Sequence, residues 1–223
     1  MIKKLKPSKF SAKDSQVERL RERHSAKPME IICCGKNFKI FGGVYKTSTD
    51  TELMAETVQI NSDKTFLEIG CGAGVISIIL SKYAKSGLGT DINELAVENS
   101  KFNAKQYKIK NLQFIKSDLF KNVHRKFDVI ICNPPYNNLP ANDNIDKMFW
   151  DTNNEMKERF FKKVSNYLYD NGSIYFGWAN FSDLDLNLPF HLAQKNNLKI
   201  IDIKSKPSPH KACIFYVLTI KRQ

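Results

Sequence analysis

No apolar run in this 223-residue chain approaches the roughly 20 residues needed to span a bilayer. The N-terminus, Met1-Ile2-Lys3-Lys4-Leu5-Lys6-Pro7, lacks the apolar core of a signal peptide. Both lacks point to a cytoplasmic protein with no membrane partner. His24, His124, His191 and His210 show no metal-ligand spacing and are expected on the surface or in loops, with no metal site. The five cysteines are an odd count without zinc spacing, which suits reduced thiols acting as small apolar fillers. Internal repeats and low-complexity tracts are absent too.

Acidic residues are in deficit. The chain has 35 Lys plus Arg against 23 Asp plus Glu, a net charge of +12, which favours an anionic partner such as RNA or DNA. Residues 1–30 hold nine Lys/Arg against four Asp/Glu, including Lys3, Lys4, Lys6, Lys9, Lys13, Arg19, Arg21 and Arg23. The expected organisation is a basic extension over residues 1–37, with one short helix near Ser15 to His24, and a single domain over 38–223. At 42% hydrophobic residues the domain has an ordinary globular composition.

From Phe38 onward apolar strands alternate with helical patterns. Thr49 is placed to cap a helix over Asp50 to Ile60, with Glu52 as its capping-box partner. Further helices are expected over Val75 to Tyr83, over Asn93 to Gln106 with Asn93 as cap, and over Met156 to Leu168, stopped by Asn171-Gly172. A short helix over Phe190 to Asn197 follows. Strands are expected at Phe66–Ile69, Gly87–Asp91, Leu112–Ile115, Phe127–Cys132, Ser173–Trp178, Leu198–Ser205 and Cys213–Ile220. Alternation of this kind predicts an α/β fold.

The densest chemical signal is Asn133-Pro134-Pro135-Tyr136, directly after the strand ending at Cys132. Two successive prolines cannot donate to a sheet ladder, so the strand must stop there. An Asn carboxamide oxygen, a proline carbonyl and a Tyr ring are thereby presented at a strand's C-terminal end, the edge where open α/β sheets bind ligands. The two oxygens can accept both N–H donors of a planar NH2 group while Tyr136 covers its flat face. The second signal is Phe66-Leu67-Glu68-Ile69-Gly70-Cys71-Gly72-Ala73-Gly74-Val75, a strand, tight turn and helix whose glycines permit close backbone approach to a ligand. Asp91 ends the next strand at the distance suited to ribose hydroxyls, and Asp118 follows the third. Acids therefore fall at the ends of three successive strands.

This pattern resembles the class I S-adenosylmethionine-dependent methyltransferases, and within them the N-methyltransferases carrying an Asn-Pro-Pro-Tyr motif. Those include release-factor glutamine methyltransferases and adenine-N6 methyltransferases of RNA and DNA. The resemblance covers roughly residues 40 to 220. It implies a three-layer, Rossmann-like, seven-stranded and mostly parallel sheet whose last strand is inserted antiparallel. It also implies S-adenosyl-L-methionine as cofactor. By the same resemblance Thr51 in Val44-Tyr45-Lys46-Thr47-Ser48-Thr49-Asp50-Thr51-Glu52 contacts cofactor, Glu68 and Gly70 lie near its methionine moiety, Asp91 near the ribose, and Asp118 and Leu119 near the adenine. Cys71, Gly72, Gly74, Ile92 and Asn133 complete the cofactor-binding set. Asn133, Pro134 and Tyr136 are the catalytic set.

The expected acceptor is the glutamine amide of a protein such as a release factor, because Phe41 to Met54 looks most like those enzymes. Adenine N6 of RNA or DNA is the alternative, and a non-catalytic cofactor- or RNA-binding protein a remote one. Relatives without a helical N-terminal domain often need a small activating partner protein. The polar loop Asn137 to Asp151 is expected to act as a lid.

Overall fold

The computed structural model describes residues 5–11, 22, 24, 27–209 and 211–223. Most of the expected helix near Ser15 to His24, and Lys3, Lys4, Lys13, Arg19, Arg21, Arg23 and His210, lie outside the described residues.

Seven strands form the central sheet: β3 (Thr65–Ile69), β4 (Ser86–Asp91), β5 (Leu112–Lys116), β6 (Phe127–Cys132), β7 (Leu168–Ala179), β8 (Leu198–Pro207) and β9 (Ile214–Arg222). Their order is β5-β4-β3-β6-β7-β9-β8. β3 to β7 run parallel, and β9 enters antiparallel between β7 and β8. This is the expected architecture. The order in which strands are added reverses between β3 and β6, so the C-terminal ends of β3, β4 and β6 meet at the topological switch point, where open α/β sheets place their binding crevice. Among the described residues five helices flank the sheet: α1 (Thr49–Thr57), α2 (Val75–Ser81), α3 (Glu94–Gln106), α4 (Glu155–Val164) and α5 (Leu188–Lys195). The core beneath the crevice is built from near-continuous apolar strands such as Phe66-Leu67 and Val129-Ile130-Ile131-Cys132, buried on both faces as parallel strands require.

One element was not anticipated. β1 (Met29–Cys33) and β2 (Lys36–Ile40) form an antiparallel hairpin that crosses position 37. Cys34 and Gly35 make its two-residue turn with φ of 47° and 71°, the signs a type I′ turn requires. Cys34 is therefore exposed, unlike the four buried cysteines, and corrects the expectation that all five are fillers. Asn99 and Asn103, buried on α3, hydrogen-bond the main chain of Lys39 and Phe41 and dock β2 on the helix.

Three element readings need correction. α1 begins at Thr49 with Ser48 as its cap residue, and no capping box forms. The Ser48 hydroxyl instead donates to Asp50 Oδ1 at 2.6 Å, and Glu52 pairs with Lys206 at 2.7 Å. α4 ends at Val164 and gives way to a 3-10 turn, Ser165–Tyr167. Asn171 and Gly172 then lie inside β7, which begins at Leu168. A Cβ at Gly172 would meet Leu168 Cγ at 2.7 Å and the Asp128 carbonyl at 2.8 Å, so this glycine marks a close approach of strands. The Asn93 cap is as expected, its side chain accepting from Leu95 N at 3.1 Å.

Candidate active site

The glycine turn after β3 is held from both sides. Gly70 N and Cys71 N donate to the Thr90 carbonyl at 2.8 and 2.9 Å, and Gly72 N donates to Asp91 Oδ2 at 2.9 Å. Asn93 N occupies the other Asp91 oxygen at 2.9 Å, which fixes the carboxylate at the end of β4. Desolvation raises the Asp91 carboxyl above the ordinary range. Gly70, Gly72 and Gly74 all take positive φ. A Cβ at Gly70 or Gly72 would meet nothing within 4 Å, so the turn faces open space on its ligand side. At Gly74 it would lie 3.1 Å from Ser100 Cα, so this glycine serves the packing of α2 on α3.

Glu68 lies beneath the turn, fully enclosed, and accepts from Ser77 N at 3.0 Å and from the Ser77 hydroxyl. Burial pushes its carboxyl up to about 8 despite those two bonds. Ile92 is exposed beside Asp91 at the end of β4, and Leu119, in the left-handed region at φ 49°, is buried just beyond β5. Asp118 pairs with Arg159 of α4 at 2.6 Å. Thr51 is buried in the first turn of α1.

The motif after β6 meets α1 through Asp50, which was expected only as the first residue of that helix. Asn133 Nδ2 donates to Asp50 Oδ2 at 2.8 Å, which orients the carboxamide and leaves Oδ1 as its acceptor. The Tyr136 hydroxyl donates to that Oδ1 at 2.8 Å. The Tyr45 hydroxyl reaches Asp50 at 3.3 Å, and Ser48 holds its other oxygen. Asp50 is 5% exposed and bound by these donors, so it acts as a fixed anion at the head of α1. Gly177 of β7 backs the same amide: a Cβ there would overlap Asn133 Oδ1.

Aromatic rings cluster around Tyr136. Tyr136 packs edge-on against Trp178 and Phe181, with centroids 6.0 Å apart in both pairs. Phe10 packs on Phe181 at 5.6 Å. Ser8 N donates to Asn180 O, and Ser182 N to Phe10 O, both at 2.8 Å, so residues 8–10 line the chain leaving β7. Lys6 and Lys9 sit on this docked segment rather than on a free arm. His24 is buried, which corrects its surface reading; it stacks on Tyr45 at 5.4 Å and meets Phe149 edge-on at 4.6 Å. Trp150 and Trp178 are core residues.

The loop after Tyr136 has a closed base. Asn137 and Trp150 form a bridge, Asp151 N donates to the Asn137 carbonyl at 2.8 Å, and Asn137 Nδ2 reaches Asp183 at 2.6 Å. Away from the crevice, Cys34, Glu52 and Glu56 bring three possible ligand atoms within 4.8 Å, but the Lys206 ammonium lies 2.7 Å from Glu52 and 3.2 Å from Glu56.

A doubly wound sheet with an antiparallel penultimate position, a glycine turn open to a ligand, and a carboxylate fixed at the next strand end together define an S-adenosylmethionine-dependent methyltransferase. The residues present fit that cofactor: the open space over Gly70 and Gly72 admits it, and Asp91 keeps lone pairs for ribose hydroxyls. The chain belongs to the Methyltransferase small domain family, whose profile matches residues 39–199. A Methanocaldococcus jannaschii protein, provisionally named a protein N5-glutamine methyltransferase, is 37% identical over 147 residues, 63% of this chain and 74% of that protein. The release factor glutamine methyltransferase of Fusobacterium nucleatum is 31% identical over 79% of this chain and 56% of its own length. The chain thus spans only a little over half of that relative. Among solved structures, TYW2 of M. jannaschii in complex with AdoMet superposes with a TM-score of 0.60 at 19% identity, over 88% of this chain and 87% of the other. The ribosomal protein L11 methylase of Lactobacillus delbrueckii subsp. bulgaricus gives 0.61 at 21% identity, over 81% of both.

Proposed function

We propose that the enzyme methylates the side-chain amide nitrogen of a glutamine in a protein such as a release factor. The observation that carries transfer to a planar NH2 group is the Asp50–Asn133–Tyr136 constellation. Asp50 locks the Asn133 amide so that Oδ1 is an acceptor, and Pro134, with its carbonyl as a second acceptor, is the next residue after a strand that has just ended. Together they accept the two N–H bonds of an amide NH2. Such a nitrogen is a poor nucleophile because its lone pair is delocalised. Holding both hydrogens in place favours a pyramidal nitrogen whose lone pair leaves the amide plane. S-adenosylmethionine supplies an activated methyl group on a good leaving group. The protein's share is therefore alignment and charge placement. The attacking nitrogen becomes acidic as its new bond to the methyl carbon forms and the thioether leaves, and it then releases a proton to solvent, so no base is needed before attack.

In this reading Gly70, Cys71, Gly72 and Gly74 shape the cofactor cleft above Glu68, and Asp91 binds the ribose. Ile92 and Leu119 flank the adenine, with Asp118 at its edge. Thr51 and Asn133 border the methionine end. The names of the relatives support a glutamine acceptor. The net charge of +12 favours the second reading, adenine N6 of RNA, which offers nearly the same donor pair and flat face. The test is incubation of wild type and Asn133→Ala with S-adenosylmethionine and a purified release factor, read by peptide mass spectrometry. A methyl mass gain on a glutamine, lost by ~100-fold or more in Asn133→Ala with cofactor affinity within a few-fold, is expected. No gain on any glutamine would refute the reading.

A further inference from the structure

Two prolines in succession leave the motif short of anchors. Pro134 and Pro135 carry no N–H, so their backbone can be held only through carbonyls. The Pro135 carbonyl has one such hold: Lys157 Nζ donates to it at 2.9 Å. Lys157 sits on α4 at the spacing of Phe160, Phe161 and Val164, the buried stripe of that helix, and its side chain is wholly enclosed. Its ammonium also meets Asp151 Oδ2 at 2.9 Å, and Asp151 is 3% exposed at its side chain. The Asp151 carboxylate further accepts from Met156 N at 2.8 Å and Lys157 N at 3.1 Å, capping α4. Its own N–H closes the base of the 137–151 loop. Trp178 lies under the ammonium at 5.8 Å.

A buried ion pair is a poor way to gain stability, because desolvation offsets most of the attraction. An apolar side chain at position 157 would complete the stripe at less cost. The charge is placed where it does something else: it fixes the Pro135–Tyr136 peptide plane. We propose that Lys157 is a positioning residue for methyl transfer. It pins the Pro135 carbonyl so that the Pro134 carbonyl stays turned to the acceptor NH2 and the Tyr136 hydroxyl stays on Asn133. Asp151 holds the ammonium in place and ties the same point to the loop. This assignment rests on the proposed role of Asn133 and Pro134 as acceptors of an NH2 group, and holds for a glutamine or an adenine amine alike.

The test compares wild type with Lys157→Met, Asp151→Asn and the double variant Lys157→Met/Asp151→Asn, all as full chains. The double variant leaves no charge buried alone, so it remains testable where Lys157→Met alone fails to fold. Cofactor affinity and melting temperature are recorded for each, with kcat and KM on whichever acceptor the wild type labels. Transfer into RNA and not glutamine would therefore sink the glutamine reading and leave the Lys157 assignment open to its own result. The double variant should bind S-adenosylmethionine within ~3-fold of wild type and lose ~100-fold in kcat, with a smaller change in KM, as a misplacement of about 1 Å at a reacting group would do. Asp151→Asn keeps a side-chain oxygen to steady the Lys157 donor on Pro135 and should lose less than ~5-fold in kcat, with a lower melting temperature because the buried ammonium loses its counter-charge. A folded double variant with near-normal kcat would overturn the assignment. Equal losses in Asp151→Asn and the double variant would overturn it as well, since the loop and not the carbonyl would then be what matters.

Discussion

Replacing Gly177 by alanine tests the site through a single methyl group. Gly177 lies in β7 beside β9, its φ is ordinary, and alanine there carries no backbone strain. By propensity alone the change should help, since glycine inside a strand costs entropy. The new Cβ, however, would overlap Asn133 Oδ1 and lie 3.1 Å from Asn133 Cγ and 3.3 Å from its Cα. Ordinary carbon contacts need about 3.5–4.0 Å, so the carboxamide must move by about 1 Å. It cannot do so freely, because Asp50 holds Nδ2 at 2.8 Å and Tyr136 holds Oδ1 at 2.8 Å. Breaking the Asp50 bond forfeits a charge-assisted interaction worth about 1.5–3 kcal/mol, and overpacking typically costs a further ~1–3 kcal/mol. Stability should fall by a few kcal/mol at most, leaving a folded protein. Methyl transfer should fall ~100-fold, because the acceptor oxygen has shifted by about 1 Å. Cofactor affinity, read by calorimetry, should change little. An alanine variant that is more stable and fully active would refute the claim that Asn133 is held at its working position by Gly177 and Asp50.

Asp91→Ala should weaken S-adenosylmethionine at least ~10-fold by calorimetry, since hydrogen bonds to a carboxylate contribute about 1.5–3 kcal/mol each; unchanged affinity would contradict the ribose assignment. Glu68 gives a pH dependence: its folded pKa of about 8 lies above the ordinary 4.5, so its stabilising contribution is full below pH ~4.5 and is lost as pH rises through ~8. The melting temperature of the cofactor-free protein should therefore decline over that window, and Glu68→Gln should flatten the decline. Deleting residues 1–11 removes Phe10 from the rings behind Tyr136 and should raise the acceptor KM several-fold without touching cofactor affinity; kinetics identical to wild type would make the segment a passive tail. A longer cut to residue 30 would also remove His24 and the start of β1, and so would mix two effects.

The parts legible in the sequence are those where local chemistry and tertiary role coincide. Pro134-Pro135 must end a strand wherever it lies, Asn93 caps α3 with its own side chain, and the apolar runs of β3 and β6 can only be buried. The parts that were hidden depend on partners far along the chain. Asp50 reads as a first-turn helix acid until α1 is seen beside Asn133, 83 residues away. Lys157 reads as one more solvated lysine, although its spacing to Phe160, Phe161 and Val164 places it on the buried stripe. The β1–β2 hairpin escaped because Met29, Glu30 and Ile32 are exposed and break the alternation, leaving the Cys34-Gly35 turn as its clearest signal. Gly172 looked like a helix stop because nothing local reveals that Asp128 and Leu168 crowd it inside β7. His24 is buried by two aromatic rings from other segments.

The central claim is that the Asn133–Pro134 acceptor pair presents a protein amide for methylation. Its most direct test is transfer of a tritiated methyl group from S-adenosylmethionine into cell extract, with wild type and Asn133→Ala run side by side and the products split into protein, RNA and small-molecule fractions. Enzymatic digestion of the protein fraction to single amino acids, which spares the side-chain amide, then locates the label. The account predicts label in protein as N5-methylglutamine, dependent on Asn133. Label confined to methyladenine in the RNA fraction, or equal label from Asn133→Ala, would contradict it.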